Sequence, residues 1–419
     1  MDQRIAKQSV IIVGVEEKQG NRIAFEHRMD ELESLVTTAG GTVELKVEQA
    51  LEHPVAATYI GKGKLFELKQ AMEEVGADLV IFNDELSPSQ LRNISTELDA
   101  LVLDRTQLIL DIFAQRAQSK EGKLQVELAQ LNYLLPRLRG QGHIMSRLGG
   151  GIGTRGPGET QLEVDQRHIR QRMDDIKGQL EQVVRHRTRY RERRKRNQAF
   201  QIALVGYTNA GKSTLLNRLS QADVMVEDQL FATLDPTTKK IRLPKGMDVL
   251  LSDTVGFIQQ LPTTLIAAFR STLEEVTGAD FIVHVVDASH DDAVNHEESV
   301  NRLLGDLDAQ QIPRLTVYNK RDLIQGDFFA LSTPSLLLST KSDEDIQRFL
   351  NKLEQTIEDA FVPYQVFVPA YEGKLLHRLK EETIVHEEAF IEESEHYRVR
   401  GYAQQDSAIY HLMTRTENE

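Results

Sequence analysis

The chain has 419 residues, of which 40% are hydrophobic and 27% charged, with a formal net charge of −14. That length exceeds one ordinary core and predicts about three domains, and the composition is that of a soluble globular protein. No stretch reaches the ~20 apolar residues of a membrane span, and the lack of cysteine excludes disulfides, thiolate metal sites and cysteine catalysis.

The first segment, MDQRIAKQSVIIVGVEE, gains acids directly after a short apolar run. It reads as a strand and not as a secretion signal, so a cytoplasmic location is expected, with peripheral membrane attachment left open. Residues 8–15 form that strand. Arg22 to Thr38 then reads as a helix with Ile23, Phe25, Met29, Leu32, Leu35 and Val36 on one stripe, stopped by Gly40-Gly41. A strand (TVELKVEQAL), a helix from Lys64 to Val75, the strand LVIFND, a helix opening at Ser87-Pro88 and a short strand at Leu101–Leu103 follow. This alternation predicts a mostly parallel α/β domain over residues 1–105.

Thr106 to Leu138 has the pattern of one long amphipathic helix, and Glu159 to Arg196 that of a second, highly charged one. Between them, residues 140–158 hold eight glycines. Residues 106–199 therefore read as an antiparallel helical hairpin with a glycine-rich tip. The apolar seam of its second helix is thin (Leu162, Ile169, Met173, Ile176, Leu180, Val183, Val184), which favours a projecting hairpin over a large core. Charge is unevenly spread: residues 137–199 hold 16 Lys+Arg against 7 Asp+Glu, and residues 372–419 hold 6 against 11.

Residues 200–360 carry the chemistry. The strand FQIALVG leads into Gly206-Tyr207-Thr208-Asn209-Ala210-Gly211-Lys212-Ser213, and a helix begins around Thr214. In this GxxxxGKS pattern the glycines let successive amides face phosphates, Lys212 supplies charge to the β and γ phosphates, and Ser213 ligates Mg²⁺. Asp253-Thr254-Val255-Gly256, a DxxG at a strand end, would hold Mg²⁺ through water on Asp253 and meet the γ-phosphate at the Gly256 amide. The intervening FATLDPTTK includes Phe231, Ala232, Thr233, Leu234 and Asp235. Thr233 is the chosen Mg²⁺ ligand, with Thr237 and Thr238 as alternatives. Lys212, Thr233 and Gly256 are the expected catalytic set.

The base is set by Asn319-Lys320-Arg321-Asp322, where the Asp322 carboxylate can accept the N1 and 2-amino protons of guanine. Ser339-Thr340-Lys341 would complete that pocket, and a helix cap before DEDIQRFL is compatible with it. Phe257 follows the DxxG in place of a water-orienting glutamine, so intrinsic hydrolysis should be slow unless a partner completes the site; Gln259 and Gln260 lie nearby. Asn209 could help hold a monovalent cation, K⁺, beside the phosphates, or could simply shape the loop. Residues 361–419 read as a small carboxy-terminal domain, with VPYQVFVPA a strand and Tyr371 to Lys380 a helix.

The expected fold is thus α/β: a P-loop GTPase domain, an amino-terminal parallel α/β domain, a projecting long helical hairpin and a small carboxy-terminal domain. YIGKGKLFEL, the tip SRLGGGIGTRGPGETQLEVDQR, GYTNAGKSTLLNRL, FATLDPTTK, DTVGFIQQLP and the NKRD loop closely resemble the HflX family of translation-factor-class GTPases. Phe257 matches that family, where a hydrophobic residue follows DxxG. The resemblance implies binding to the large ribosomal subunit and its rRNA, splitting of stalled ribosomes under stress, and ribosome-stimulated hydrolysis of GTP to GDP. It also implies a tip that reaches toward the peptidyl-transferase centre. Arg147, Arg155, Arg193 and Arg194 are the candidate RNA contacts. ATP binding by the amino-terminal domain is a further implication, yet no second P-loop exists and Gly61-Lys62-Gly63-Lys64 is too short to be one. Two other functions compete: a GTP-switched adaptor of a protein partner such as a membrane protease, and an ATP-dependent RNA helicase. A monomer is expected.

Overall fold

The computed structural model describes residues 8–18, 20–138, 161–196, 199–220, 230–231, 233–234, 236–258, 275–324, 326–405, 407, 409–410 and 413, with side chains of the long charged helix placed at 164–183 and 185. The chain forms two compact units. One comprises Met1–Val183 with Gln229–Phe231 and Gln260–Phe269; the other comprises Val184–Asp228, Ala232–Gln259 and Arg270–Glu419.

In the first unit, β1 (Ser9–Glu17), α1 (Arg22–Thr38), β2 (Thr42–Leu51), α2 (Lys62–Val75), β3 (Leu79–Phe82), α3 (Pro88–Leu98) and β4 (Leu101–Asp104) alternate. The strands pair in parallel in the order β2-β1-β3-β4. β1 and β3 are nearly continuous apolar runs because both of their faces are covered. Start signals act where the sequence offers them: Asn21 accepts from the amides of Ile23 and Ala24, and Ser87 with Gln90 forms a capping box ahead of Pro88. Ile23 departs from the predicted stripe and is 62% exposed, since it lies in the first turn, outside the contact with the sheet. The Gly61–Lys64 segment is the start of α2: the Gly61 amide donates to Gln49 Oε1 at 2.8 Å, and Lys64 pairs with Glu67.

The predicted single helix over 106–138 is two helices, α4 (Arg105–Arg116) and α5 (Lys120–Arg137). Ala117 is extended (φ −61, ψ 115), and Ser119 starts α5 by accepting from the Gly122 amide. The base of α5 is locked by Arg137, whose guanidinium lies 3.4 Å from the Tyr133 ring centroid, donates to the Leu86 carbonyl at 2.8 Å and lies 3.5 Å from the buried Asp104. The long helix α6 spans Gln161–Arg196 among the described residues; the predicted start at Glu159 lies outside them. Arg172 on α6 forks onto Glu127 of α5 at 2.7 and 2.8 Å, while Met173 and Ile176 supply the buried part of the thin seam. The glycine-rich tip lies outside the described residues.

The second unit holds β5 (Phe200–Gly206), α7 (Lys212–Leu219), β6 (Thr237–Arg242), β7 (Asp248–Asp253), β8 (Phe281–Asp287), α8 (Ala293–Asp306), β9 (Arg314–Asn319), β10 (Ser335–Leu337) and α9 (Asp343–Ala360). Its sheet runs β10-β9-β8-β5-β7-β6, parallel except for the antiparallel edge strand β6. Strand order reverses at β5, which opens a crevice at the carboxyl ends of β5, β7 and β8. The smaller sheet, β11 (Val362–Pro369), β12 (Ile384–Ile391) and β13 (His396–Ala403), is antiparallel in the order β11-β13-β12, with α10 (Gly373–Glu382) packed on it. That helix begins two residues after the predicted Tyr371. The small sheet shares the larger core, because Ile384, Phe361 and Tyr402 pack into the same cluster as Phe200, Leu251 and Phe349. Among the described residues, no helix is long and apolar enough to cross a membrane.

Candidate nucleotide site

The GxxxxGKS segment forms the turn from β5 into α7. Gly206 (φ +153) and Gly211 (φ +97) have no room for a side chain: a Cβ would lie 2.1 Å from the Val285 carbonyl oxygen at the first and 2.2 Å from Asn319 Nδ2 at the second. Asn209 sits at φ +60 with its side chain exposed. Lys212 is buried and donates to the carbonyls of Gly206 at 2.9 Å and Tyr207 at 2.7 Å. Burial lowers its pKa to about 8, against a smaller opposing pull from Asp253.

Three oxygens converge beside it. Ser213 Oγ and Thr233 Oγ1 donate to Asp253 Oδ2 at 2.6 and 2.7 Å and lie 2.8 Å apart. Asp253 Oδ1 and Thr208 Oγ1 are buried without a hydrogen-bond partner among the described residues, and burial pushes the Asp253 carboxyl above its ordinary value. Two hydroxyls and an under-satisfied carboxylate make an oxygen-only donor set that fits a hard divalent cation whose remaining ligands are water and phosphate. Thr237 and Thr238 lie on β6, where Thr238 pairs with Ser252 at 2.8 Å. Thr237 pairs with Asp253 in the β6–β7 register, but of the three threonines only Thr233 places its hydroxyl on the Asp253 carboxylate among the described hydrogen bonds.

The DxxG residues continue from β7. Phe257 forms a parallel bridge with Tyr207: its amide donates to the Gly206 carbonyl at 3.1 Å, and its carbonyl accepts from Thr208 at 2.7 Å. The phenylalanine is therefore fixed as backbone against the P-loop, and its ring is buried. The Thr254 hydroxyl donates to the Leu204 carbonyl at 2.6 Å, and Val255 is buried.

On the base side, Asn319 is a clamp. Its Nδ2 donates to the Ala210 carbonyl at 2.9 Å, and its Oδ1 accepts from the Thr340 amide at 3.1 Å, tying the P-loop to the Ser339–Lys341 loop. Lys320, at φ +65, pairs with Asp287 at 2.7 Å, and Arg321 pairs with Asp345 at 3.1 Å. Asp322 accepts from Lys341 Nζ at 2.8 Å and Ser339 Oγ at 2.7 Å, and these two bonds, the lysine's first, hold its carboxyl below the ordinary value. The cap of α9 is Ser342, one residue beyond the predicted loop.

Phe231 is placed differently from its neighbours. Its ring is buried in the first unit, edge-on to Phe113 with centroids 4.6 Å apart, and Leu234, three residues after it, is also buried. Ala232, Asp235, Gln259, Gln260, Arg147 and Arg155 lie outside the described residues, as do the side chains of Arg193 and Arg194. Two features had no signal in the local motifs: the Asn319 clamp, and a ring stack of Tyr207 on His296.

Three family profiles match the chain: "GTP-binding GTPase N-terminal" over residues 26–114, "GTP-binding GTPase Middle Region" over 116–194 and "50S ribosome-binding GTPase" over 201–320. A GTPase HflX of Alkalihalophilus pseudofirmus is 56% identical over 402 residues, which is 96% of this chain and 95% of that protein. The GTPase HflX of Caldanaerobacter subterraneus is 50% identical, covering 88% of this chain and 86% of its own. The GTPase HflX of Escherichia coli is 42% identical, covering 84% of each. With the phosphate loop, the oxygen cluster and the base-side loop joined at one end of the β5-centred sheet, the chain is a GTP-hydrolysing enzyme and belongs to the HflX family.

Proposed function

We propose that this GTPase binds the large ribosomal subunit and splits or rescues stalled ribosomes, with GTP hydrolysis stimulated by the ribosome. The observation that carries this reading is the bridge between Phe257 and Tyr207, which puts a backbone-fixed, buried phenylalanine where a water-orienting side chain would act. A site of that kind turns over slowly alone and needs a partner. The match of residues 201–320 to a family described as ribosome-binding, and the surplus of 16 basic over 7 acidic residues in 137–199, support an RNA-rich partner.

In this reading Ser213 and Thr233 ligate Mg²⁺, and Asp253 holds it through water. Lys212 and the Gly256 amide meet the β and γ phosphates, and Thr208, Ala210 and Thr214 line the phosphate cradle. Mg²⁺ supplies charge that offsets the phosphoryl oxygens. The chain's own part is to aim the P-loop amides and to keep the Thr233 hydroxyl directed at the cation. Asp322 reads guanine, with Asn319, Lys320, Arg321, Ser339, Thr340 and Lys341 shaping its pocket. Asn209 offers its carboxamide to K⁺ beside the phosphates. Arg147, Arg155, Arg193 and Arg194 face rRNA phosphates.

Sedimentation with purified 50S subunits tests the partner. The GTP-analogue form should pellet with the subunit and the GDP form much less. Equal recovery without subunits, or none with them in either state, removes the proposal.

A further inference from the structure

Behind the P-loop, the ring of Tyr207 lies flat on the imidazole of His296 in α8, with centroids 3.7 Å apart and planes 9° from parallel. His290 also packs on His296, at 4.5 Å and 45°. Asp292 connects the two histidines. Its carboxylate lies 3.8 Å from His296 Nε2 and accepts from Asn295, while its amide donates to His290 Nδ1 at 3.0 Å. The imidazole is thus held from the helix side and presents a buried, flat surface to the second residue of the P-loop.

Tyr207 is where the parts of the nucleotide site meet. Its carbonyl accepts from Lys212 Nζ, and its backbone is bridged to Phe257. Gly256, the residue before Phe257, is so close to the P-loop that a Cβ there would lie 2.8 Å from Thr208 Cα and 3.2 Å from Lys212 Nζ. A shift of Tyr207 therefore moves the strand against which Gly256 is registered.

We propose that His296 is a positioning residue for GTP hydrolysis: by holding the Tyr207 ring it fixes the P-loop backbone that aims Gly256. This rests on the reading of Gly256 as a γ-phosphate contact. GDP has no γ-phosphate and keeps only the β-phosphate contacts of Lys212 and the P-loop, so losing the stack falls more heavily on GTP and on turnover than on GDP. An aromatic stack of this kind favours the held position by a factor of roughly three to ten.

The test uses the full chain and measures kcat, GTP-analogue affinity and GDP affinity. His296→Leu keeps apolar volume but lacks a flat ring; it should lower kcat roughly threefold to tenfold and leave GDP affinity within about twofold. His296→Phe restores a ring and should recover kcat to within about twofold of the parent. A parent-like His296→Leu, equal losses for GDP and GTP, or a His296→Phe as impaired as His296→Leu overturns the proposal. Tyr207→Leu and the double variant close a cycle: strongly non-additive losses are expected, and additive losses contradict the stack. Gly256→Ala separates the two readings. If it leaves the GTP-to-GDP preference unchanged, the γ-phosphate assignment fails; if it shifts that preference and His296→Leu does not, only the positioning role fails.

Discussion

Asp253 and Lys212 are both held away from their ordinary protonation equilibria, in ways that make the nucleotide-free site unstable at neutral pH. Burial raises the Asp253 carboxyl above 3.8, so the folded chain binds that proton more tightly than the unfolded chain. Stability therefore falls as pH rises from about 3.8 through the folded value, and the loss is complete above it. Burial lowers Lys212 from 10.5 to about 8, so its penalty is complete below pH 8 and fades as pH rises toward 10.5. In the proposed reading, bound Mg²⁺ and phosphate would relieve both. Asp253→Asn should consequently raise the melting temperature of the nucleotide-free protein by about 2–4 °C while lowering GTP turnover at least about a hundredfold. Calorimetry showing a lower melting temperature contradicts this account of the cation site. At the base, Asp322→Asn should exchange guanine for xanthine preference and weaken GTP by at least about a hundredfold, since the proposed acceptor for N1 and the 2-amino group would be lost. Unchanged GTP affinity in a titration would show that the pocket lies elsewhere. These residues were readable in advance because phosphate, cation and base each demand a particular side chain at a set distance from a strand end. Asn319 shows the limit. Its bonds to Ala210 and Thr340 join segments 109 and 21 residues away, and nothing in the NKRD motif itself announces a clamp.

Elements were legible where apolar periodicity and punctuation agreed. Ser87-Pro88 and the buried runs of β1 and β3 mark their elements in the sequence and do so in the fold. The break between α4 and α5 was hidden, because Ala117-Gln118-Ser119 contains neither glycine nor proline and apolar residues recur on both sides. Ser119 is the readable clue, a serine whose hydroxyl takes the Gly122 amide at 2.8 Å. Ser119→Ala should cost about 1 kcal/mol and lower the melting temperature by about 2–4 °C, with GDP affinity unchanged. An unaltered melting temperature would mean that packing of Leu124, Val126 and Ala129, and not the cap, sets where α5 begins. Proline 136 is tolerated near the end of α5, where few turns remain to be disturbed.

At the scale of the whole molecule, charge asymmetry was visible in the sequence, but the total of −14 conceals it. If the basic run from Arg185 to Arg196 meets phosphates, replacing Arg193 and Arg194 with glutamine should weaken binding to 50S subunits and shrink the salt slope by about one unit per lost contact. A slope identical to that of the parent would exclude these two arginines. Exchanging potassium for sodium in a GTP-turnover assay examines Asn209: turnover should fall in sodium for the parent and become indifferent to the ion in Asn209→Ala. The central claim is that the hydrolytic site is incomplete alone, as the buried, bridged Phe257 suggests. The measurement that addresses this claim most directly is single-turnover GTP hydrolysis with and without purified 50S subunits. Acceleration by at least about tenfold is predicted; the same rate in both would contradict it.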